Sequence, residues 1–211
     1  MKKIILMIFV SVLLFACTNK VKSETLVENS SNYQESNSGG LNDMTKNTKS
    51  NIIVVFFSAT GNTKNVATKI ANFANADLYE IIPEVKYTEA DLNWNDNDSR
   101  TSLEQSNGNV RPKISIPDLD LSKYKVIYLG YPIWWGMSPK IINTFIEKYD
   151  FKGKMIIPFC TSGSSGIEES ITNLRYYNST GQWLDGKRFA SNVDDKTIED
   201  FVNESLGKIR N

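Results

Sequence analysis

Three nearly apolar runs constrain the fold of this chain more than any other feature. They cover residues 52–57, 125–130 and 155–160, and they are rich in β-branched and aromatic side chains. A strand that is apolar on both faces is typical of a parallel sheet with helices on both sides. Each run leads through a glycine-containing loop into a segment with apolar residues at helical spacing. This alternation predicts a doubly wound α/β fold with right-handed crossovers.

Two weaker patterns complete the sheet. Residues 77–83 alternate and stop at a proline, and residues 183–189 form the last predicted strand. Five strands between residues 51 and 211 predict the order 2-1-3-4-5, with helices on both faces, rather than a six-stranded dinucleotide fold. The helices are predicted over residues 66–74, 139–148, 167–175 and 197–209.

The N-terminus predicts export. Met1-Lys2-Lys3 precedes an apolar run over residues 4–16, which is shorter than the roughly 20 residues that a spanning helix needs. Residues 1–16 therefore form a predicted signal peptide. The end of the run, Leu14-Phe15-Ala16-Cys17, resembles a bacterial lipobox, which implies cleavage before Cys17 and a mature lipoprotein anchored to the cell envelope through lipid on Cys17. The alternative is a simple signal anchor, or an ordinary export signal with a chance cysteine.

The next segment, residues 17–50, is polar and predicts a disordered tether to a folded domain over 51–211. Within that domain, residues 86–120 are too long for a plain connection, and they predict an irregular insertion that is either a lid or a surface excursion. The second cysteine, Cys160, ends an apolar strand and is expected to be a buried small hydrophobe.

Composition excludes several function classes. The chain contains no histidine, which removes Ser-His triads and nearly every common transition-metal site, so no metal is predicted. The formal net charge is zero, which argues against nucleic acid as a partner. The Gly-x-x-x-x-Gly-Lys and Gly-x-Gly-x-x-Gly fingerprints are both absent.

Three loops follow the carboxyl ends of the buried strands, where open parallel sheets bind ligands. The first, Ser58-Ala59-Thr60-Gly61-Asn62-Thr63, enters a helix and offers neutral hydrogen-bond donors suited to one phosphate group. Taken alone, this loop is as consistent with an ordinary N-capped turn between strand and helix as with a phosphate-binding loop. The second loop carries the adjacent Trp134 and Trp135, whose flat surfaces suit stacking on a planar ring, although one indole is expected to pack under the third helix. The third, residues 160–166, is rich in small donors and lacks an aromatic residue.

The first loop resembles the Ser/Thr-x-Thr-Gly-x-Thr motif of the flavodoxin family, and the other two loops follow in the family's order. The resemblance covers residues 51–211 and implies one bound FMN. The resemblance does not explain the insertion. The third loop of this chain also differs from that of small flavodoxins, because it has no aromatic residue. The cofactor-binding residues that it implies are Ser58, Thr60, Gly61, Asn62, Thr63, Pro132, Ile133, Trp134, Trp135, Gly136, Thr161, Ser162, Gly163 and Ser164.

The resemblance implies no catalytic side chain, because the flavin itself carries the chemistry. An electron carrier that serves redox partner proteins at a membrane surface is the first functional hypothesis. An FMN-dependent NAD(P)H:quinone or other acceptor oxidoreductase is the second, with the insertion shaping a pocket for a small-molecule acceptor. A non-redox module that binds another phosphorylated ligand is the third. The absence of Lys and Arg from the three loops predicts a low reduction potential.

Overall fold

The computed structural model describes residues 50–115 and 119–210. Its strands are β1 Ile52–Phe56, β2 Asp77–Glu80, β3 Val126–Pro132, β4 Met155–Thr161, β5 Gln182–Trp183 and β6 Lys187–Phe189. Its helices are α1 Asn62–Ala74, α2 Arg100–Ser106, α3 Lys140–Lys148, α4 Glu168–Tyr177 and α5 Asp195–Arg210. Apart from α2, every element lies where the sequence predicts it, with ends that differ by a few residues.

The strands form one parallel sheet in the order β2-β1-β3-β4-β5. β5 pairs with the first residues of β4, and β6 pairs with the last residues of the same strand. This confirms the doubly wound fold and the predicted order 2-1-3-4-5. In the register of the central strands, Phe56 lies opposite Gly130, and Gly130 lies opposite Phe159. The carboxyl ends of β1, β3 and β4 therefore finish at one edge of the sheet.

Each face of the sheet carries its own apolar core. Val55 and Phe57 pack on the side of α3 and α4, whereas Val54 and Phe56 pack on the side of α1 and α5. All four side chains are at most 1% exposed, and full burial of such a side chain contributes about 1.5–3 kcal/mol. Burial on both faces is the reason that this strand reads as a continuous apolar run, and it confirms that helices cover both sides.

The fifth strand position is divided in two, although one strand was predicted there. The Leu184 amide donates to the Ile156 carbonyl at 2.9 Å. The backbone groups of every second residue of β4 face this edge of the strand, so the next residue that could pair here is Pro158. Proline has no N–H to continue the ladder. The chain leaves the sheet opposite it, and the Leu184 carbonyl instead accepts a long hydrogen bond, 3.4 Å, from Nη2 of Arg175. A Cβ on Gly186 would lie 2.9 Å from the Pro158 carbonyl oxygen, so the return path requires glycine.

The insertion predicted as irregular over residues 86–120 contains the seven-residue helix α2. Its N-cap is Ser99, whose hydroxyl accepts from the Ser102 amide at 3.4 Å. The Glu104 carboxylate accepts from the Tyr87 hydroxyl and from Nε of Arg100, both at 2.7 Å. The buried residues of α2 are Thr101 and Glu104, so this helix has no apolar stripe from which periodicity could have predicted it.

The far end of the insertion is fastened to α3. Arg111 donates through Nε and Nη2 to the two carboxylate oxygens of Glu147, at 2.8 and 2.7 Å. The Thr144 hydroxyl donates to the Pro112 carbonyl at 2.9 Å. A paired bidentate contact of this kind is geometrically specific, and it joins the insertion to the helix that follows the tryptophan loop.

Two predictions lie wholly or almost wholly outside the described residues. They are the signal peptide over 1–16 and the tether over 17–50 with its lipidated Cys17, of which only Ser50 is described. Over residues 50–115 and 119–210, no helix has the length and apolar character to cross a membrane.

Candidate functional site

A cleft of about 720 Å³ lies at the carboxyl edge of the sheet, between the three loops and the insertion. Its volume is within the range of small-molecule sites in proteins. None of its lining side chains is charged. These residues are Thr60, Leu92, Trp94, Thr101, Ile133, Trp134, Trp135, Ser162, Gly163, Ser164 and Ser165. The tertiary structure therefore brings together members of all three predicted loops around one uncharged cavity.

The first loop is folded against itself and leaves the start of α1 open. The Gly61 amide donates to the Ser58 hydroxyl oxygen at 3.1 Å, and Nδ2 of Asn62 donates to the Thr60 hydroxyl oxygen at 3.4 Å. Gly61 is the N-cap, with φ +91°, and it provides no side-chain cap. The first-turn amides of a helix have no partner within the helix, so they and the hydroxyls of Ser58 and Thr60 form a neutral donor set suited to an anion.

Thr63 is placed differently from the other members of its loop. Its side chain is buried, and its hydroxyl lies 2.7 Å from that of Thr161 at the end of β4, which is also buried. The two predicted cofactor contacts are therefore bonded to one another beneath the cleft. This hydrogen bond fixes the start of α1 relative to the third loop, so both hydroxyls position the loops rather than face the cavity.

The second loop turns sharply at its two central residues. The Trp134 amide donates to the Met137 carbonyl at 2.8 Å, and the Met137 amide donates back at 3.0 Å. Trp135 and Gly136 both have positive φ, +50° and +78°, which is the signature of a type I′ turn, normally made by Asn-Gly. A tryptophan in the left-handed region costs about 1–2 kcal/mol. Such strain at a cleft is a reason to look for a function of the side chain.

The two adjacent indoles lie in different surroundings. The Trp134 ring packs edge-on against Phe57 and Tyr87, with centroid distances of 5.7 and 5.3 Å. Trp135 is 49% exposed. The expected division into one packed and one exposed tryptophan is therefore present, and Trp134 packs against the core cluster to which α3 contributes. Trp135 is the indole of this turn that is free to stack on a flat ligand.

The third loop is held by a cation that the loops themselves lack. Nη1 of Arg188, on β6, donates to the carbonyls of Ser162 and Gly163 at 2.9 and 3.4 Å. The Ser162 amide donates to the Phe189 carbonyl at 3.0 Å. A positive charge therefore lies directly beside the third loop, although the loop sequence itself contains none. Arg188 reaches the loop because the register of β6 places it opposite Cys160, which no local sequence pattern shows.

The thiol of Cys160, at the start of the third loop, lacks the features of a reactive nucleophile. Cys160 is fully buried, and burial raises the pKa of its thiol to about 12, so it remains protonated and unreactive at neutral pH. Within the described part of the chain there is no group of three or more potential acidic or cysteine metal ligands.

Four residues of the cleft wall were missed by the sequence analysis. Leu92, Trp94 and Thr101 come from the insertion, and Ser165 belongs to the third loop but was not among its predicted contacts. The insertion therefore borders the cleft. Its composition alone could not show this, because nothing local in residues 86–120 indicates the direction in which that segment folds.

Comparison with known proteins identifies the family. A family model described as Flavodoxin matches residues 51–205. The chain belongs to the flavodoxin family. No curated protein sequence matches the chain significantly.

Solved structures of similar proteins agree with the family. Crystal structures of flavoprotein candidates from Bacteroides eggerthii and Bacteroides uniformis are each 41% identical to this chain, with TM-scores of 0.68 and 0.70. Both comparisons cover 72% of this chain, and 96% and 97% of the other chains. A flavoprotein from Lactobacillus acidophilus in complex with FMN is 21% identical, with a TM-score of 0.54, over 72% of this chain and 97% of that one. This last similarity shows a shared fold.

Proposed function

We propose that this flavodoxin-family protein binds one FMN in the cleft and carries electrons on it between redox partners. The observation that carries the proposal is the combination of an uncapped helix N-terminus, an exposed Trp135 and a donor-rich third loop around a single uncharged cavity. One end of that cavity suits an anion, and the other suits a planar ring. FMN has both parts.

Each loop would hold a different part of the cofactor. The hydroxyls of Ser58 and Thr60, with the first amides of α1, would hold the phosphate, while the indole of Trp135 would stack on the ring. The third loop would contribute the hydroxyls and backbone groups of Ser162 and Ser164. When bound, FMN supplies the electron-transfer chemistry, and the protein supplies binding, orientation and electrostatics.

A second candidate is an FMN-dependent NAD(P)H:quinone or other acceptor oxidoreductase. The observation that favours it is the wall contributed by Leu92 and Thr101 of the insertion, which adds surface beyond the three loops. Oxidation of NADH or NADPH by the purified protein with a quinone acceptor separates the two functions. Steady turnover would establish the oxidoreductase, whereas a protein that accepts electrons only from a protein donor is a carrier.

The visible absorbance of the purified protein, before and after addition of FMN, tests the cofactor. Thr60→Ala then tests the phosphate end, because a hydrogen bond to a charged group is worth about 1.5–3 kcal/mol, roughly 10–100-fold in Kd. Riboflavin lacks the phosphate, so its affinity should not change. Thr68→Ala is the matched control, since Thr68 lies on the exposed side of α1 and bonds only to the Lys64 carbonyl.

A colourless protein that takes up no FMN would refute the proposal outright. Equal affinities of Thr60→Ala and the wild type for FMN would place the phosphate elsewhere. A ligand-binding protein that prefers another phosphorylated compound to FMN would establish the non-redox alternative.

We propose further that the protein is exported and anchored to the cell envelope through lipid on Cys17. The support is the lysine pair at the N-terminus, the short apolar run and the lipobox-like Leu14–Cys17 sequence. Cys17→Ser should move the protein from the membrane fraction to the soluble fraction of the envelope, and an unchanged distribution would refute the lipid anchor. Cys160→Ser is the control, because the second cysteine is buried in the domain.

A further inference from the structure

Two strongly exposed tryptophans face the same cleft. Trp135 is 49% exposed and Trp94 is 72% exposed, and both line the cavity. A large apolar side chain left in water at a concave site is more informative than one scattered on a convex surface. Trp135 belongs to a loop of the flavodoxin site. Trp94 belongs to the insertion, and neither the fold nor the phosphate loop accounts for it.

Trp94 is held in place on both sides along the chain. It lies within a turn closed by a 3.1 Å hydrogen bond from the Asp96 amide to the Asn93 carbonyl. Before it, the Asp91 carbonyl accepts from the hydroxyl of the buried Thr101 at 2.7 Å. After it, the Asp96 carbonyl accepts from the Ser102 hydroxyl at 2.7 Å. Two residues of α2 thus fix the two ends of the turn that carries the indole.

The helix that holds Trp94 is itself fixed to the tryptophan loop. Nε2 of Gln105 donates to the Ser138 carbonyl at 3.2 Å. The Tyr87 hydroxyl donates to the Glu104 carboxylate, and the Tyr87 ring packs against the Trp134 ring with a centroid distance of 5.3 Å. The insertion and the second loop therefore form one packed unit. The backbone turn that carries Trp94 is therefore held at the cleft through α2 and the second loop, and ordering of this backbone adds no entropic cost to a stacking contact.

The third loop offers no aromatic surface to the cavity. It contributes only Ser162, Gly163, Ser164 and Ser165, and the Trp134 ring of the second loop is engaged edge-on with Phe57 and Tyr87. Indole is the side chain with the largest flat apolar surface, and the insertion places one at this cavity.

From these observations we infer that Trp94 is a flavin-binding residue, and that it supplies the second aromatic wall of the site from the insertion. The inference rests on the proposed binding of FMN. Trp135 and Trp94 together enclose the ring, so a second flat molecule, such as a nicotinamide or a quinone, has no free face on which to stack. Electrons then pass through the remaining exposed edge, as suits a carrier.

Titration of the full-length protein with FMN and with riboflavin tests the inference. Trp94→Ala should weaken binding of both ligands about tenfold, because the flavin ring loses its stacking contact with this aromatic side chain. Bound flavin should also become more fluorescent, since a stacked indole quenches its emission. Trp94→Phe keeps a flat ring and should retain most of the affinity.

Tyr176→Ala is the matched control, because this residue is 84% exposed on α4 and does not line the cleft. Circular dichroism confirms that each variant is folded. If the wild type binds no FMN, the proposed function fails and the inference fails with it. If the wild type binds FMN and Trp94→Ala binds it with unchanged affinity and emission, the inference alone is overturned. An unchanged flavin affinity with a raised KM for an acceptor would also overturn it, and would assign Trp94 to the acceptor.

Discussion

The conformation of Gly61 gives the sharpest test of the phosphate loop. Gly61 has φ +91°, and a Cβ added there would meet no atom within 4 Å. The cost of Gly61→Ala is therefore a backbone cost of about 1–2 kcal/mol, partly offset by about 0.4–1 kcal/mol from the reduced entropy of the unfolded chain. We expect a net loss of about 1 kcal/mol, which lowers Tm by about 2–4 °C in a domain of this size.

The same substitution should also weaken FMN binding. Relief of the backbone strain that the new Cβ introduces at position 61 would rotate the peptide that begins α1 and turn the first amides away from the phosphate position. One lost hydrogen bond to a charged group amounts to about 1.5–3 kcal/mol, or roughly 10–100-fold in Kd. Urea denaturation measures the stability, and titration with FMN and riboflavin measures the affinity. Riboflavin binding should be nearly unaffected.

Two other glycines serve as controls. Gly153 has φ +72° in the turn before β4, distant from the cleft, so Gly153→Ala should cost similar stability and leave FMN binding unchanged. Gly163 lies in the third loop without a positive φ and with open space at its Cβ position, so Gly163→Ala should not reduce stability. Equal losses of stability for Gly61→Ala and Gly153→Ala, with equal and unchanged FMN affinities, would refute the assignment of the phosphate to this loop.

Three further predictions concern the domain. Gly130→Ala should destabilise it by about 1–3 kcal/mol, because the new Cβ would lie 2.1 Å from the buried Phe159 ring. Gly207→Ala, in open space on α5, should instead stabilise the domain by up to about 1 kcal/mol. A loss of stability in both variants would contradict this steric account. Burial raises the pKa of Cys160, Tyr128 and Tyr131, so the stability that these groups contribute is fully present below their unfolded pKa values. The free energy of unfolding should therefore fall as pH rises from about 9 towards 12, by about 1.4 kcal/mol per pH unit for each titrating group. A urea midpoint that stays constant over this range would contradict the prediction. In a Cys17→Ser variant, Cys160 should react with a disulfide reagent at pH 8 only after denaturation, and rapid labelling of the folded protein would show an accessible thiol.

The order of elements and the site's location could be predicted because their signals are local. A strand buried on both faces must be apolar at consecutive positions, as residues 52–57 are. Each of the three loops was found from its own residues and from the rule that parallel strands bind ligands at their carboxyl ends. Strand order followed from the alternation of strands and helices, because right-handed crossovers leave few arrangements.

Several features of the site depended on contacts between residues far apart in the chain. Thr63 resembles an exposed phosphate donor in the sequence, but Thr161 lies beside it and both hydroxyls are buried. Arg188 reaches the third loop only because β6 pairs with β4. Similarly, the division of the last strand arises where it meets Pro158 of β4, and the pattern within residues 183–189 does not show it.

The tryptophan loop shows the same division most clearly. That two adjacent indoles lie at the end of β3 could be predicted from the sequence, because neighbouring residues encode the strand and the loop. The packing of Trp134 on Phe57 and Tyr87, the exposure of Trp135 and the place of Trp94 at the cleft depend on the tertiary structure. Local periodicity specifies which residues form an element, whereas the exposure of a side chain depends on the surfaces that the rest of the chain packs against it.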